Sequence, residues 1–199
     1  MNELSGEQEE TDWINRGVEI IERMTGKKPR GFRAPTYQFS RYTASILCDL
    51  GFKYDASLMD DDVPSVYQSS RGEIIGLPSH WALDDWPQYV CNSDVGYRVN
   101  IRSPDEAKSV FMREFEIAHK YGGMWIAVWH PWVSARLARA ETIREMIESM
   151  QEKGDVWFAT MEQIAEHIAG LIENDKWQPR RVTLPYYNRG LPDGELPTL

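Results

Sequence analysis

The chain has 199 residues, 42% hydrophobic and 27% charged, with a net charge of −9. This is the length of one ordinary domain with a substantial core, and the composition excludes wholesale disorder. The acidic balance argues against nucleic acid, whose phosphates need a basic surface. No run approaches the roughly 20 apolar residues of a membrane span. Residues 1–25 are acidic and unlike a leader, and Cys48 and Cys91 form no disulfide framework, so a cytoplasmic protein is expected.

Ser5 with Gln8 reads as a capping box for a helix over residues 5–24, stopped by Gly26. Trp13, Ile14, Val18, Ile21 and Met24 recur at helical spacing, which predicts one buried face. A short strand is expected over 31–34, a helix over 40–50 between Ser40 and Gly51, and a strand over 52–57. Asp60-Asp61-Asp62 reads as a solvated turn. A strand over 73–78 leads into a long loop, residues 80–103, of the kind that carries function.

Ser103-Pro104-Asp105-Glu106 combines an N-cap, a Pro in the first turn and a Glu three residues on, opening a helix that reaches Tyr121. The apolar run 124–129 predicts a strand covered on both faces. A helix over 139–153 precedes a strand over 156–159, and Thr160 with Gln163 caps a last helix to 172. Residues 173–199 read as an extended tail. The alternation implies an α/β fold with parallel pairing. With about five strands where about eight close a barrel, it is an open sheet or a barrel lacking its first third.

His130 is the strongest candidate for chemistry: it ends the 124–129 run, and Pro131 halts the ladder there. A strand-end His satisfied by a backbone carbonyl is the plainer alternative. Trp129 and Trp132 flank it. Arg33 stands before Ala34-Pro35, suited to a carboxylate or an anionic substrate, or to a surface ion pair. Asp84 and Asp85 precede Trp86. Neighbours in extended chain point opposite ways, so one of the two faces the site. The eight Trp favour a cleft in which indoles stack on a flat or sugar-like ligand. No HExxH, cysteine cluster or glycine-rich phosphate loop is present, so no metal site is expected from this chain alone.

Taken in order, Arg33-Ala34-Pro35, Asp85-Trp86 and Val128-Trp129-His130 resemble the Arg-x-Pro, Asp-Trp and Leu-x-His motifs of the polysaccharide deacetylase (NodB-homology) family. The segments starting at Gly31, Leu50 and Leu83 are similar to its allantoinase-like branch, which includes intracellular peptidoglycan deacetylase-like proteins. The resemblance covers residues 1–172 and implies a partial deacetylase domain there, followed by the tail. It implies an irregular (β/α) barrel of the glycoside hydrolase/deacetylase type, incomplete at its N-terminus, and hydrolysis of a linear C–N amide bond. His130 would be the general acid, Asp85 would tune it, and Arg33 would orient a base Asp. Trp86, Trp132, Thr36, Tyr37, His80 and Asp84 would line the site for a small amide or N-acetyl sugar. In the family the base, and a zinc held with a His-x-x-x-His pair, come from motifs upstream of a helix like residues 7–24. A truncated and self-associating hydrolase, weakly active or inactive as isolated, is therefore expected, with a non-catalytic ligand-binding or assembly protein as the alternative.

Overall fold

A computed structural model describes residues 6–91 and 100–184. They fall into two compact units. The first comprises the described residues of Met1–Pro78 and Ala159–Leu199, the second those of Ser79–Phe158.

The first unit holds α1 (Glu7–Thr25), β1 (Gly31–Phe32), α2 (Thr43–Asp49), β2 (Tyr54–Asp55), β3 (Ser65–Ser69) and β4 (Gly72–Gly76). Its helix α7 (Met161–Glu173) and strand β5 (Arg181–Thr183) come from the end of the chain. The five strands form one sheet in the order β1-β2-β4-β3-β5. β1, β2 and β4 are parallel neighbours, β3 and β4 form an antiparallel hairpin, and β5 adds parallel to β3. The sheet is thus mixed, not wholly parallel as the alternating pattern implied. Ile46, Leu47, Phe52, Tyr67, Ile74 and Val182 form its core.

The N-cap of α1 is Gly6, without a side-chain cap. Ser5 lies outside the described residues, and Gln8 donates to Asp12 instead (2.9 Å). Gly26 ends the helix in the left-handed conformation expected of it. Glu10 is buried and accepts from the hydroxyls of Ser40 and Thr43, so a carboxylate of α1 organises the start of α2. The predicted apolar face is largely unburied: Ile14 is covered, but Trp13 is 55% and Met24 78% exposed. Trp13, Val18 and Ile21 instead wall an apolar groove of about 550 Å³ with Phe32 and Phe52.

The Asp60-Asp61-Asp62 turn is not simply solvated. Asp60 accepts from the Tyr67 hydroxyl (2.9 Å) and Arg180 (2.8 Å), and Asp61 pairs with Arg180 at 3.0 Å. Tyr67 is fully buried with its ring against Gly76, where a β-carbon would come within 2.2 Å of it; burial pushes its phenol well above the ordinary range.

The second unit contains α3 (Asp85–Tyr89), α4 (Pro104–Tyr121), α5 (Pro131–Ser134) and α6 (Leu137–Lys153). α4 has the predicted box: Ser103 accepts from Glu106 N, and the Glu106 carboxylate accepts from Ser103 N. These bonds hold the Glu106 carboxyl below its usual range. The core joins Leu83, Tyr89, Phe111, Phe115, Met146 and Met150. Neither predicted strand of this stretch forms among the described residues. Segment 124–129 makes one parallel bridge, Val128 to Asp84, because its indoles pack on α4: Trp125 against Phe115 (6.3 Å) and Trp129 against Phe111 (6.2 Å). Residues 156–159 are also not a strand, and Trp157 and Phe158 are exposed.

Candidate active site

His130 is the residue at which the extended 124–129 segment turns into α5, and Pro131 takes the first helical position, where a missing N–H costs nothing. It therefore ends a helix entry, not a buried strand. Across from it, Asp84 caps α3 by accepting from Trp86 N (2.7 Å), while Asp85 opens that helix. Cap and first-turn side chains diverge, so Asp84 serves its own helix and Asp85 reaches His130. The bridge between Asp84 and Val128, with Asp85 N donating to Val128 O (3.0 Å), fixes the two segments side by side.

Asp85 has no exposure. Its Oδ1 lies 2.6 Å from His130 Nδ1; its Oδ2 accepts from His130 N (2.8 Å) and from the Ser134 hydroxyl. Imidazole bonded this way carries a proton on Nδ1, which leaves Nε2 as the nitrogen that can exchange a proton with a ligand. The ring is about one-third exposed. Trp86 and Trp132 stand edge-on to it, each with its centroid 5.8 Å away, and 5.3 Å from one another. Trp132 is 64% exposed, an indole presented to solvent beside the imidazole.

Ser134 was not among the sequence candidates. It lies one helical turn past His130, in a His-Pro-Trp-Val-Ser stretch, and that i, i+4 spacing is the signal that finds it. His80, another candidate, caps the short turn Trp81–Leu83 by accepting from Ala82 N at 3.1 Å.

Arg33, in the first unit, follows β1 and donates from Nε to Ala56 O (2.8 Å), with its guanidinium 5.6 Å above the Tyr37 ring. Thr36 and Tyr37 sit in the turn after it, both at positive φ. Asp55 and Ser57, passed over in the sequence, brace this turn: Ser57 Oγ accepts from Ala34 N (2.8 Å) and donates to Asp55 Oδ1 (2.6 Å). Burial pushes the Asp55 carboxyl up to about 6, against the Ser57 bonds and Arg33, which hold it down.

No family model matches the chain. A solved Mycobacterium smegmatis structure assigned to the polysaccharide deacetylases is 36% identical with a TM-score of 0.82, covering 92% of this chain and 63% of that one. This chain is similar to the polysaccharide deacetylases. The Helicobacter pylori peptidoglycan deacetylase is 28% identical over 190 residues, 82% of this chain and 64% of its own length. A structure of an allantoinase shares the fold at 20% identity and a TM-score of 0.72, over 84% of this chain and 55% of that one. The chain thus spans somewhat under two thirds of the relatives it matches. The deacetylase-like fold is mixed α/β, with a sheet that does not close among the described residues.

Deacetylase-like proteins raise the matter of zinc. Asp84, Asp85 and His130 bring ligand-type atoms within 4.8 Å of one another. As donors to a cation they fit poorly. Both Asp85 oxygens already accept from His130 and Ser134, Asp84 accepts from Trp86 N, and the His130 nitrogen nearest Asp85 is taken by it. Asp85 and His130 share a hydrogen bond, and Asp84 serves its own helix.

Proposed function

We propose that this chain carries the proton-donating part of an amide-hydrolysing site of the polysaccharide deacetylase type. The observation that supports it is the Asp85–His130 pair, in which a fully buried carboxylate holds both the ring and the backbone of one histidine. An amine is a poor leaving group until it is protonated. His130 Nε2 gives its proton to the amide nitrogen as the C–N bond breaks, and Asp85 stabilises and orients the imidazolium that precedes this step. Trp86 and Trp132 wall the space for a small acyl group, with exposed His80 of the same unit as a further substrate contact. Arg33 orients the group that takes the proton from the attacking water, which the resemblance assigns to an upstream Asp.

The substrate class in this reading is an N-acetylated glycan, since two relatives are named for peptidoglycan deacetylation or likeness to it. The test is acetate release from peptidoglycan fragments by the longest natural product that contains this sequence, with an allantoin-type ureide as the competing substrate. His130→Ala should lower the rate roughly 10²–10⁴-fold with substrate affinity little changed. A variant as fast as the parent would sink the assignment.

We further propose that the protein is cytoplasmic and self-associating. Exposed Trp13, Ile21 and Met24 beside the edge strand β1 support association. Sedimentation should show concentration-dependent oligomers that Trp13→Ser weakens; a monomer at every concentration contradicts it. Cell fractionation checks the location.

A further inference from the structure

The turn that follows β1 places two consecutive residues with side chains, Thr36 and Tyr37, at φ of 52° and 60°. Residues with a β-carbon enter that region at an energetic cost, so the surroundings must hold them there. Inside the turn, Tyr37 N donates to Ala34 O (2.9 Å), Gln38 N to Pro35 O (3.1 Å) and the Thr36 hydroxyl to Pro35 O (2.7 Å). From outside, the end of β2 grips it. Ser57 Oγ accepts from Ala34 N, and Ala56 O accepts from Arg33 Nε.

A serine hydroxyl that accepts a backbone N–H is best fixed when its own proton has a partner. Here that partner is Asp55, whose Oδ1 takes the hydroxyl proton at 2.6 Å and whose Oδ2 takes Ser57 N at 2.9 Å. Both Ser57 and Asp55 are fully buried, so neither can touch a substrate. Three consecutive residues thus bind both the Arg33 side chain and the backbone of Ala34, which leads into the strained turn.

We propose that Asp55, acting through Ser57, is the positioning residue that sets the direction of the Arg33 guanidinium. The geometric claim stands on these bonds alone; its catalytic meaning rests on the role proposed above for Arg33. The carboxylate orients the Ser57 hydroxyl, the hydroxyl fixes Ala34 N, and the fixed segment keeps Arg33 Nε on Ala56 O. Without Asp55 the hydroxyl is free to rotate, the turn relaxes and the guanidinium swings.

Nuclear magnetic resonance of this chain reads the claim without any activity. The Arg33 Nε–H, identified by its loss in Arg33→Lys, should give a side-chain signal protected from exchange with water. In Asp55→Asn and in Ser57→Ala that protection should drop about tenfold or more, while the Trp125 indole N–H, donating to Phe111 O in the second unit, keeps its own. Should Asp55→Asn fail to fold, Ser57→Ala decides alone. Wild-type protection of Arg33 in folded Ser57→Ala overturns the proposal. In the hydrolysis assay Asp55→Asn should lower kcat with KM nearly unchanged. An inactive parent protein would count against the deacetylase reading while leaving the resonance result to judge the positioning claim.

Discussion

Each unit contains an aspartate with no exposure, and the two are held differently. Asp55 is satisfied by the backbone and hydroxyl of one serine, with Arg33 near it. Asp85 is satisfied by an imidazole, a backbone N–H and a second hydroxyl. Neutral donors cannot repay the loss of water around a charge, and burial drives the Asp55 carboxyl up. An imidazole can carry the compensating charge itself. Equal burial therefore yields a brace of neutral donors in one unit and a carboxylate–imidazole pair in the other. The chemistry of the donor makes the difference.

The sharpest way to break this comparison is to remove each carboxylate. Asp85→Ala orphans three donors at once and should cost about 3 kcal/mol in urea unfolding, more than Asp55→Asn, which keeps one acceptor. The reverse order would mean that Asp85 contributes little to folding.

Next comes pH. The folded pKa of Asp55 lies above its ordinary 3.8, at about 6, so the folded chain binds that proton more tightly than the unfolded one. Its contribution is complete below about pH 4 and is lost as pH rises through 6, a change of roughly 2–3 kcal/mol. Stability curves of parent and Asp55→Asn should diverge across that window and run parallel above it. Parallel curves throughout would contradict the buried, neutrally donated carboxyl.

Smaller effects refine the comparison. Ser134→Ala removes one of the three donors to Asp85 and should cost about 1 kcal/mol, with the His130 ring still paired. Ser103→Ala, which unmakes the α4 capping box, should cost about 1 kcal/mol by thermal unfolding, with no effect on Asp85 or His130. A Ser103 effect that exceeded that of Asp85→Ala would invert the ranking.

How far the sequence could be read depended on how local the determinant was. The boxes at Ser103 and Thr160 are short-range hydrogen-bond chemistry, and both form as their residues require. Gly26 and Gly122 stop their helices for the same reason. Strands were harder. Residues 124–129 have the composition of a buried strand, yet a strand exists only where a neighbour offers its ladder, and Trp125 and Trp129 are occupied by α4. Ser65–Ser69 is polar at both ends and escaped notice; its hairpin with Gly72–Gly76 makes it a strand. The stripe on α1 was legible as apolar, but burial depends on what stands opposite. At the candidate site, Asp-Trp and the closing His were readable as ordered motifs. Ser134 was marked only by its spacing from His130, and Asp55 not at all, because a second residue's orienting bond leaves no mark in residue type alone.

The two thiols also divide between the units. Cys48 is half-buried beside Ser69, and Cys91 is exposed. A thiol reagent will therefore modify exposed Cys91 faster than half-buried Cys48, whose rate rises whenever its surroundings open. Mass spectrometry of timed samples would count the two additions separately. The native chain thus serves as its own clock for how often the sheet-bearing part breathes, with no reporter introduced.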